Sequence, residues 1–553
     1  MRLTNYLLSS VVSKRPFYIT TPIFYVNAAP HLGHLYTAVL ADAIQRFEKI
    51  TNSDINVTFS TGTDEHGTKI QQAAAKANLS LPDYCTTISQ EYKYMFKEYH
   101  IEYTDFIRTT EERHLKAVQH FWRRLVKDDY IYKAKYSGWY SVNDEAFVPE
   151  SHTREENTHD GKVRVSVESG HKLEWTEETN YMFRLSAFKT QLQQWLRTDG
   201  VIRPSKFQKQ LQDMLENEVY FPDISVSRPA SRVHWAIRVP DDEEQSIYVW
   251  LDALINYLSV IGYPDEDLMK QKNRPWPADL HVLGKDILKF HGIYWPAFLM
   301  AARWPPPRGI LCHSHWTVDG VKMSKSLGNV VRPPLNAAGT AYGTALRYLL
   351  LREATLQDDA NYSETKLINV ANSELADTLG NLVSRCCGPA LNPRAELPPL
   401  HPRGLEPAVT DQLMTQVDRL PEICHKHYSN YQFYKAADAV MSVLRTANQF
   451  FETSKPWELR KDPSRQKELD VVLHLTLETL RICAIILQPM VPDISERLLD
   501  KLQVPKTCRS WQHCETASWR LKGAIYEPKN IQAGKFVLFP RIYTEKKVKK
   551  ASV

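Results

Sequence analysis

The first patterned stretch, Phe17 to Val26 (FYITTPIFYV), is almost continuously apolar, aromatic or β-branched. Such a run predicts a strand buried on both faces. Pro30 then marks a turn, after which Leu35, Val39, Ala43 and Phe47 recur at helical spacing. Asp54 to Ser60 predicts a second strand, followed by the turn Thr61 to Gly67 and a helix through Ile70, Ala74 and Ala77. Strand, glycine turn and helix in alternation predict a parallel α/β sheet with a ligand crevice at the strand ends. From about residue 131 to 244 the pattern gives way to short strands and polar loops. It is predicted to resume at Ser246 to Trp250 and the helical Leu251 to Ile261, then at the strand His281 to Leu283 and a turn entering a helix at Gly284. Beyond about residue 345 strand signals nearly vanish. Ala345 to Arg352, Lys366 to Val383, Ala408 to His425, Gln432 to Phe451 and Leu469 to Leu487 all carry helical periodicity, which predicts an α-helical bundle.

Composition narrows the class. The 553 residues are 43% hydrophobic and 24% charged, as in a soluble globular chain with room for about three domains. No apolar run is long enough for a membrane helix. A net charge of +5 permits an RNA partner without demanding one. The eight cysteines are scattered with no Cys-x-x-Cys, which indicates neither a zinc knuckle nor a disulfide framework and fits a reducing compartment. Residues 1–16 carry Arg2, Lys14, Arg15 and several serines, and the first acidic residue is Asp42. That composition predicts a mitochondrial transit segment, with a short disordered end of a cytoplasmic protein as the alternative.

Two stretches bring chemistry. His31-Leu32-Gly33-His34 falls where a strand hands over to a helix N-terminus, a place that attracts anions. Gly33 allows close approach of a ligand, and both imidazoles can donate to phosphate oxygens without a permanent charge. Lys322-Met323-Ser324-Lys325-Ser326 lies between Gly320 and Gly328, a cationic loop able to close on a triphosphate. The pair HLGH and KMSKS, in this order and far apart, resembles the class I aminoacyl-tRNA synthetases. The surrounding residues resemble the methionyl-tRNA synthetase family, from about Phe17 to Leu487.

That resemblance implies an α/β Rossmann-type catalytic domain with a connective insertion, followed by an all-α anticodon-binding bundle. The expected boundaries are a transit segment at 1–16, a catalytic domain at 17–130 and 245–330, the insertion at 131–244, a stem-contact region at 331–365, the anticodon-binding domain at 366–540 and a basic tail at 541–553. It implies a methionine-tRNA ligase that uses L-methionine, ATP with Mg²⁺ and tRNA(Met), acting as a monomer in the mitochondrial matrix and away from membranes. His31, His34, Lys322 and Lys325 are the implied catalytic residues, with Gly33 and Ser324 also on ATP. Asp64, which taken alone reads as a helix N-cap, would face the methionine ammonium. Ile23, Tyr25, Trp250, Tyr257, Asp286, Phe290 and His291 would form the rest of the amino-acid pocket. Trp250, Leu254 and Tyr257 stand at i, i+4 and i+7, on one helix face. Tyr25 or Tyr257 would offer a hydroxyl to the thioether, which also favours aromatic rings. Asn381, Arg385 and Trp457 would read anticodon bases by hydrogen bonding and stacking.

Relatives that bind zinc in the insertion do so through cysteines. Here no cysteine lies between Cys85 and Cys312, and His152, His159 and His171 sit in polar sequence. No structural zinc and no metal ligand are expected. The insertion is too short for the editing domain of leucyl, isoleucyl or valyl relatives, which disfavours those substrates. The remaining alternatives are another class I specificity, a nucleotidylyltransferase using the same HxGH chemistry, and a catalytically silent RNA-binding relative.

Overall fold

In the computed structural model the described residues are 15–141, 146–148, 150–158, 161–167, 169–217, 221–271, 276–323, 328–337, 339–401, 407–520 and 529–543. Outside them fall most of the expected transit segment, His159, Ser324, Lys325, Ser326 and nearly all of the basic tail. Six strands form one parallel sheet: β1 (Phe17–Tyr25), β2 (Val57–Asp64), β3 (Asp105–Arg108), β4 (Ile202–Arg203), β5 (Leu280–Gly284) and β6 (Ile310–His313). Their spatial order is β3-β2-β1-β5-β6-β4, with every pairing parallel. All eight residues of β2 are buried, which explains its lack of polar alternation. The β1–β2 register shifts between Thr20 and Ile23, where Pro22 has no N–H to give the ladder, and ends with Tyr25 opposite Asp64. Gly62 is required by β3, because a Cβ there would lie 1.9 Å from the Ile107 carbonyl oxygen.

The chain winds outward from β1 through β2 to β3 and later returns on the other side of β1 through β5 and β6. The crevice between β1 and its two neighbours is therefore a topological switch point, where open α/β sheets bind ligands. The helix Leu32–Thr51 follows β1 and buries Leu35, Val39, Ala43 and Phe47. Asp64 closes β2 and does not cap the next helix; Gly67 holds the N-cap position of Thr68–Ala77.

Between β3 and β5 stands a long hairpin, Ile131–Ser141 with Glu174–Phe183, beside a smaller one, Thr153–Thr158 with Gly161–Ser166. Arg164 joins them: its guanidinium lies 4.7 Å over the Trp139 ring and pairs with Glu150, which also accepts the Trp139 indole N–H at 2.6 Å. The chain then places β4 on the far edge of the main sheet, a strand too short to show as a period-two pattern. Ser246 to Trp250 departs from its expected place in the parallel layer. Asp242–Ile247 belongs to a separate antiparallel sheet with Ser227–Pro229 and Arg238–Val239, and the helix Val249–Leu254 follows directly.

The second half is helical. Ala341–Glu353 leads to one continuous rod that is α over Glu364–Val370, π over Ala371–Gly380 and α again over Asn381–Cys387. The amide of Asn381 donates to the Ala376 carbonyl, five residues back, as a π-turn requires. Pro407–Ser429, Phe433–Ser454, Gln466–Leu487 and Pro492–Lys501 complete the bundle. Arg347, 1% exposed, locks the two halves together: it pairs with Asp42 at 2.6 Å and donates to the carbonyls of Tyr99, Pro489 and Met490. All eight cysteines are free thiols, and only Cys508 is not buried. No helix of the described residues is long and apolar enough to cross a membrane.

Candidate active site

At the C-terminal ends of β1, β2, β5 and β6 lies a cavity of about 390 Å³. One wall is the start of Leu32–Thr51. His31 takes the extended N-cap conformation, and its Nδ1 accepts the Gly33 amide N–H at 3.1 Å, while His34 Nδ1 accepts the His31 amide N–H at 3.3 Å. The two rings stack with centroids 3.6 Å apart. Backbone donors thus occupy Nδ1 of both rings, and in the neutral imidazoles the proton belongs to Nε2. Nε2–H groups at a helix N-terminus suit an oxyanion such as phosphate. A Cβ on residue 33 would lie 3.0 Å from the His31 ring, so glycine there keeps the stacked pair in place.

The opposite wall is aromatic. Trp250, Leu254 and Tyr257 all line the cavity, as their spacing predicted, joined by Ile23, Tyr25, Asp64, Asp286 and His291. Phe290 is not in the lining. It lies behind Trp250, face to face at 3.7 Å and 10° from parallel. Both Phe290 and His291 fall in a π-helical turn, Phe290–Tyr294, in which the Trp295 amide donates to the Phe290 carbonyl. His291 Nδ1 faces the Ile287 carbonyl at 3.0 Å and must carry the proton there. Burial lowers this imidazole to about 4, so near neutrality its Nε2 is a bare acceptor, and the Tyr257 hydroxyl donates to it at 2.8 Å. In this arrangement the Tyr257 proton is directed at His291. Burial raises that phenol's pKa above the ordinary value.

Asp64, Lys69, Lys322 and Met323 also line the cavity. Asp286 stands exposed in the short turn Lys285–Ile287, within 3.1 Å of His315 Nε2. The segment beyond the lysine loop is tied to the phosphate wall, since the Leu32 amide donates to the Val331 carbonyl at 2.9 Å. Among the described residues no group of three or more His, Cys, Asp or Glu is arranged to hold a metal ion.

The residues expected to read RNA also come together. Asn381 and Arg385 lie one turn apart just after the π segment. The Arg385 guanidinium lies 5.6 Å over the Trp457 ring and 4.8 Å over Phe451, and bonds Glu452 at 2.6 Å. Trp457 is 36% exposed beside this cation.

Residues 17–387 match the family described as tRNA synthetases class I (M), and residues 402–549 match the anticodon binding domain of methionyl tRNA ligase. The chain belongs to the methionyl class I tRNA synthetases. It is 46% identical over 543 residues to the mitochondrial methionine–tRNA ligase of Bos taurus, covering 95% of this chain and 90% of that one. It is 47% identical over 509 residues to the Homo sapiens mitochondrial enzyme, covering 89% of this chain and 85% of that one. The solved Mycobacterium tuberculosis methionyl-tRNA synthetase in complex with methionyl-adenylate is 36% identical, with a TM-score of 0.86, covering 95% of this chain and all of that one.

In this synthetase the sequence reading passed over several cavity residues. Thr37 lies one turn beyond Gly33 on the same helix, and helical spacing from HLGH would have found it. Its hydroxyl meets His313 Nε2 at 2.8 Å. His313 Nδ1 must donate to the Ser314 carbonyl at 2.9 Å, and burial lowers the ring to about 4, so Thr37 donates to it. Ser314 bonds away from the cavity centre, to the Gln357 carbonyl at 2.7 Å.

Proposed function

We propose that this synthetase joins L-methionine to ATP, forming methionyl-adenylate and pyrophosphate, and then esterifies tRNA(Met) in the mitochondrial matrix. The observation that carries this reading is the single cavity running from the stacked His31–His34 pair to the Trp250–Tyr257 face. Methionine's carboxylate must approach a polyphosphate of like charge, so positioning and charge stabilisation dominate. His31, Gly33 and His34 would hold the phosphates; Lys322, Ser324 and Lys325 would close on the departing pyrophosphate. Asp64 would anchor the ammonium, with Ile23, Tyr25, Trp250, Tyr257, Asp286 and His291 around the side chain and Phe290 stiffening Trp250. Tyr25 or Tyr257 would offer a hydroxyl to the sulfur.

Mg²⁺ would arrive with the nucleotide and be held chiefly by phosphate oxygens, since such sites use few protein carboxylates. Asn381, Arg385 and Trp457 would engage the anticodon, and the enzyme would work as a monomer without a membrane. The test is amino-acid-dependent ATP–pyrophosphate exchange across the twenty amino acids. Methionine alone should support exchange; a different amino acid would overturn the pocket, and none would overturn the activity. Lys325→Ala should abolish most exchange while sparing tRNA binding, and Trp457→Ala should spare exchange while weakening charging.

A further inference from the structure

Behind the amino-acid wall is a set of polar side chains that the reaction as described leaves unused. Asp252, fully buried, receives His66 Nδ1 on one carboxylate oxygen and His114 Nε2 on the other, each at 2.7 Å. His114 Nδ1 continues to the Ser259 hydroxyl at 2.9 Å. All four side chains are buried, and Asp252 is not part of the cavity lining. The cluster joins three separate elements. His66 lies two residues beyond Asp64, Asp252 two residues beyond Trp250, and His114 on the helix Glu112–Lys127 that packs behind them.

Asp64 and Trp250 would hold opposite ends of the amino acid, its ammonium and its side chain. A covalent and hydrogen-bonded route between them runs Asp64–Glu65–His66, across to Asp252, then Leu251–Trp250. Trp235 reinforces the first half, its amide oxygen accepting the Gly67 N–H at 3.0 Å and its indole donating to the Glu65 carbonyl. A buried carboxylate costs free energy unless it is fully paired. Burial would raise Asp252, yet the two imidazoles outweigh it and lower the carboxyl to about 2, so the brace is charged near neutrality.

We propose that Asp252, bridging His66 and His114, is a positioning residue that fixes the distance between the ammonium anchor and the side-chain wall, and so sets which amino-acid length is accepted. This rests on the amino-acid pocket proposed above. It differs from selection by the wall itself, because the ruler is a residue that touches no substrate.

The test compares exchange with methionine and with ethionine, one methylene longer, in the full-length enzyme and in Asp252→Asn. The variant keeps the shape while removing the charge. The ratio of methionine to ethionine kcat/KM should fall about fivefold or more, a change within the range one methylene commands. KM for ATP should stay within about twofold, since the phosphate wall is untouched. If both amino acids lose activity equally, Asp252 is only a packing residue and the proposal fails. Should Asp252→Asn prove insoluble, His114→Gln, which alters only the outer half of the brace, carries the same comparison with the same two outcomes. Asp64→Asn separates this inference from the pocket beneath it. An unchanged methionine KM there overturns the pocket, whereas a raised KM with an unchanged ratio in Asp252→Asn overturns only the brace.

Discussion

Trp250 and Phe290 lie face to face, ring centroids 3.7 Å apart, with only Trp250 reaching the cavity. An indole held on one face by a second ring would offer its other face to the proposed methionine side chain. Such aromatic pairs contribute about 0.5–1.5 kcal/mol beyond burial. Phe290→Leu should therefore raise methionine KM by roughly two- to tenfold at nearly constant ATP KM. Exchange kinetics measure both; an equal rise in the two would place Phe290 in the general fold.

Tyr257→Phe removes the one hydroxyl that satisfies His291 Nε2. A buried acceptor left unpaired costs about 1–3 kcal/mol, so kcat/KM for methionine should drop roughly five- to hundredfold. His291→Phe in the same background should lose less than the product of the two single effects, because it removes the orphaned acceptor. The double-mutant comparison checks the direction assigned to this hydrogen bond.

Arg347→Met strips the carbonyls of Tyr99, His100, Pro489 and Met490, and Asp42, of a partner, although Arg46 still contacts Asp42 at 2.7 Å. Breaking a buried pair on one side costs about 3–5 kcal/mol, and the lower end is expected with Arg46 still present. Urea unfolding should show the loss, and Asp42→Asn added to Arg347→Met should recover part of it. No recovery would mean that the carbonyl bonds, not the ion pair, hold the junction.

Acid should weaken the protein in two steps. His291 and His313 are lowered by burial from 6.5 to about 4, so between those values the unfolded chain binds more protons and stability falls as pH falls. Asp42 and Asp252 are pushed up by burial but held at about 2, against an ordinary 3.8, by Arg46 and Arg347 and by His66 and His114 respectively. Their contribution is complete above about pH 4 and is lost as pH drops toward 2. Urea midpoints across this range measure both steps. A midpoint constant from pH 7 to 4.5 would show that the two histidines are protonated in the folded protein.

What could be read from the chain beforehand was whatever repeats or adjoins locally. HLGH sits at a strand-to-helix handover, and Trp250, Leu254 and Tyr257 share a face because helical spacing alone dictates it. Arg385 and Trp457 were nominated by resemblance, and the bundle brings their side chains together across the intervening helices. What stayed hidden is carried by pairs remote in sequence: His66 and Asp252 are 186 positions apart, Asp42 and Arg347 are 305. Hydrogen-bond direction was hidden too, since Tyr257 as donor follows only from the Ile287 carbonyl on the far side of His291. The two π-helical segments carry no residue signature in the chain.

The π stretch Ala371–Gly380 sits immediately upstream of Asn381 and Arg385 on one rod. A residue adds roughly 100° of rotation in an α-helix, so deleting one here would swing both side chains about a quarter turn around the rod. Ala371, Leu375, Leu379 and Gly380 are buried within it, so their identities are constrained along with its length. These ten residues thus act as a spacer whose length and inward face together aim Asn381 and Arg385.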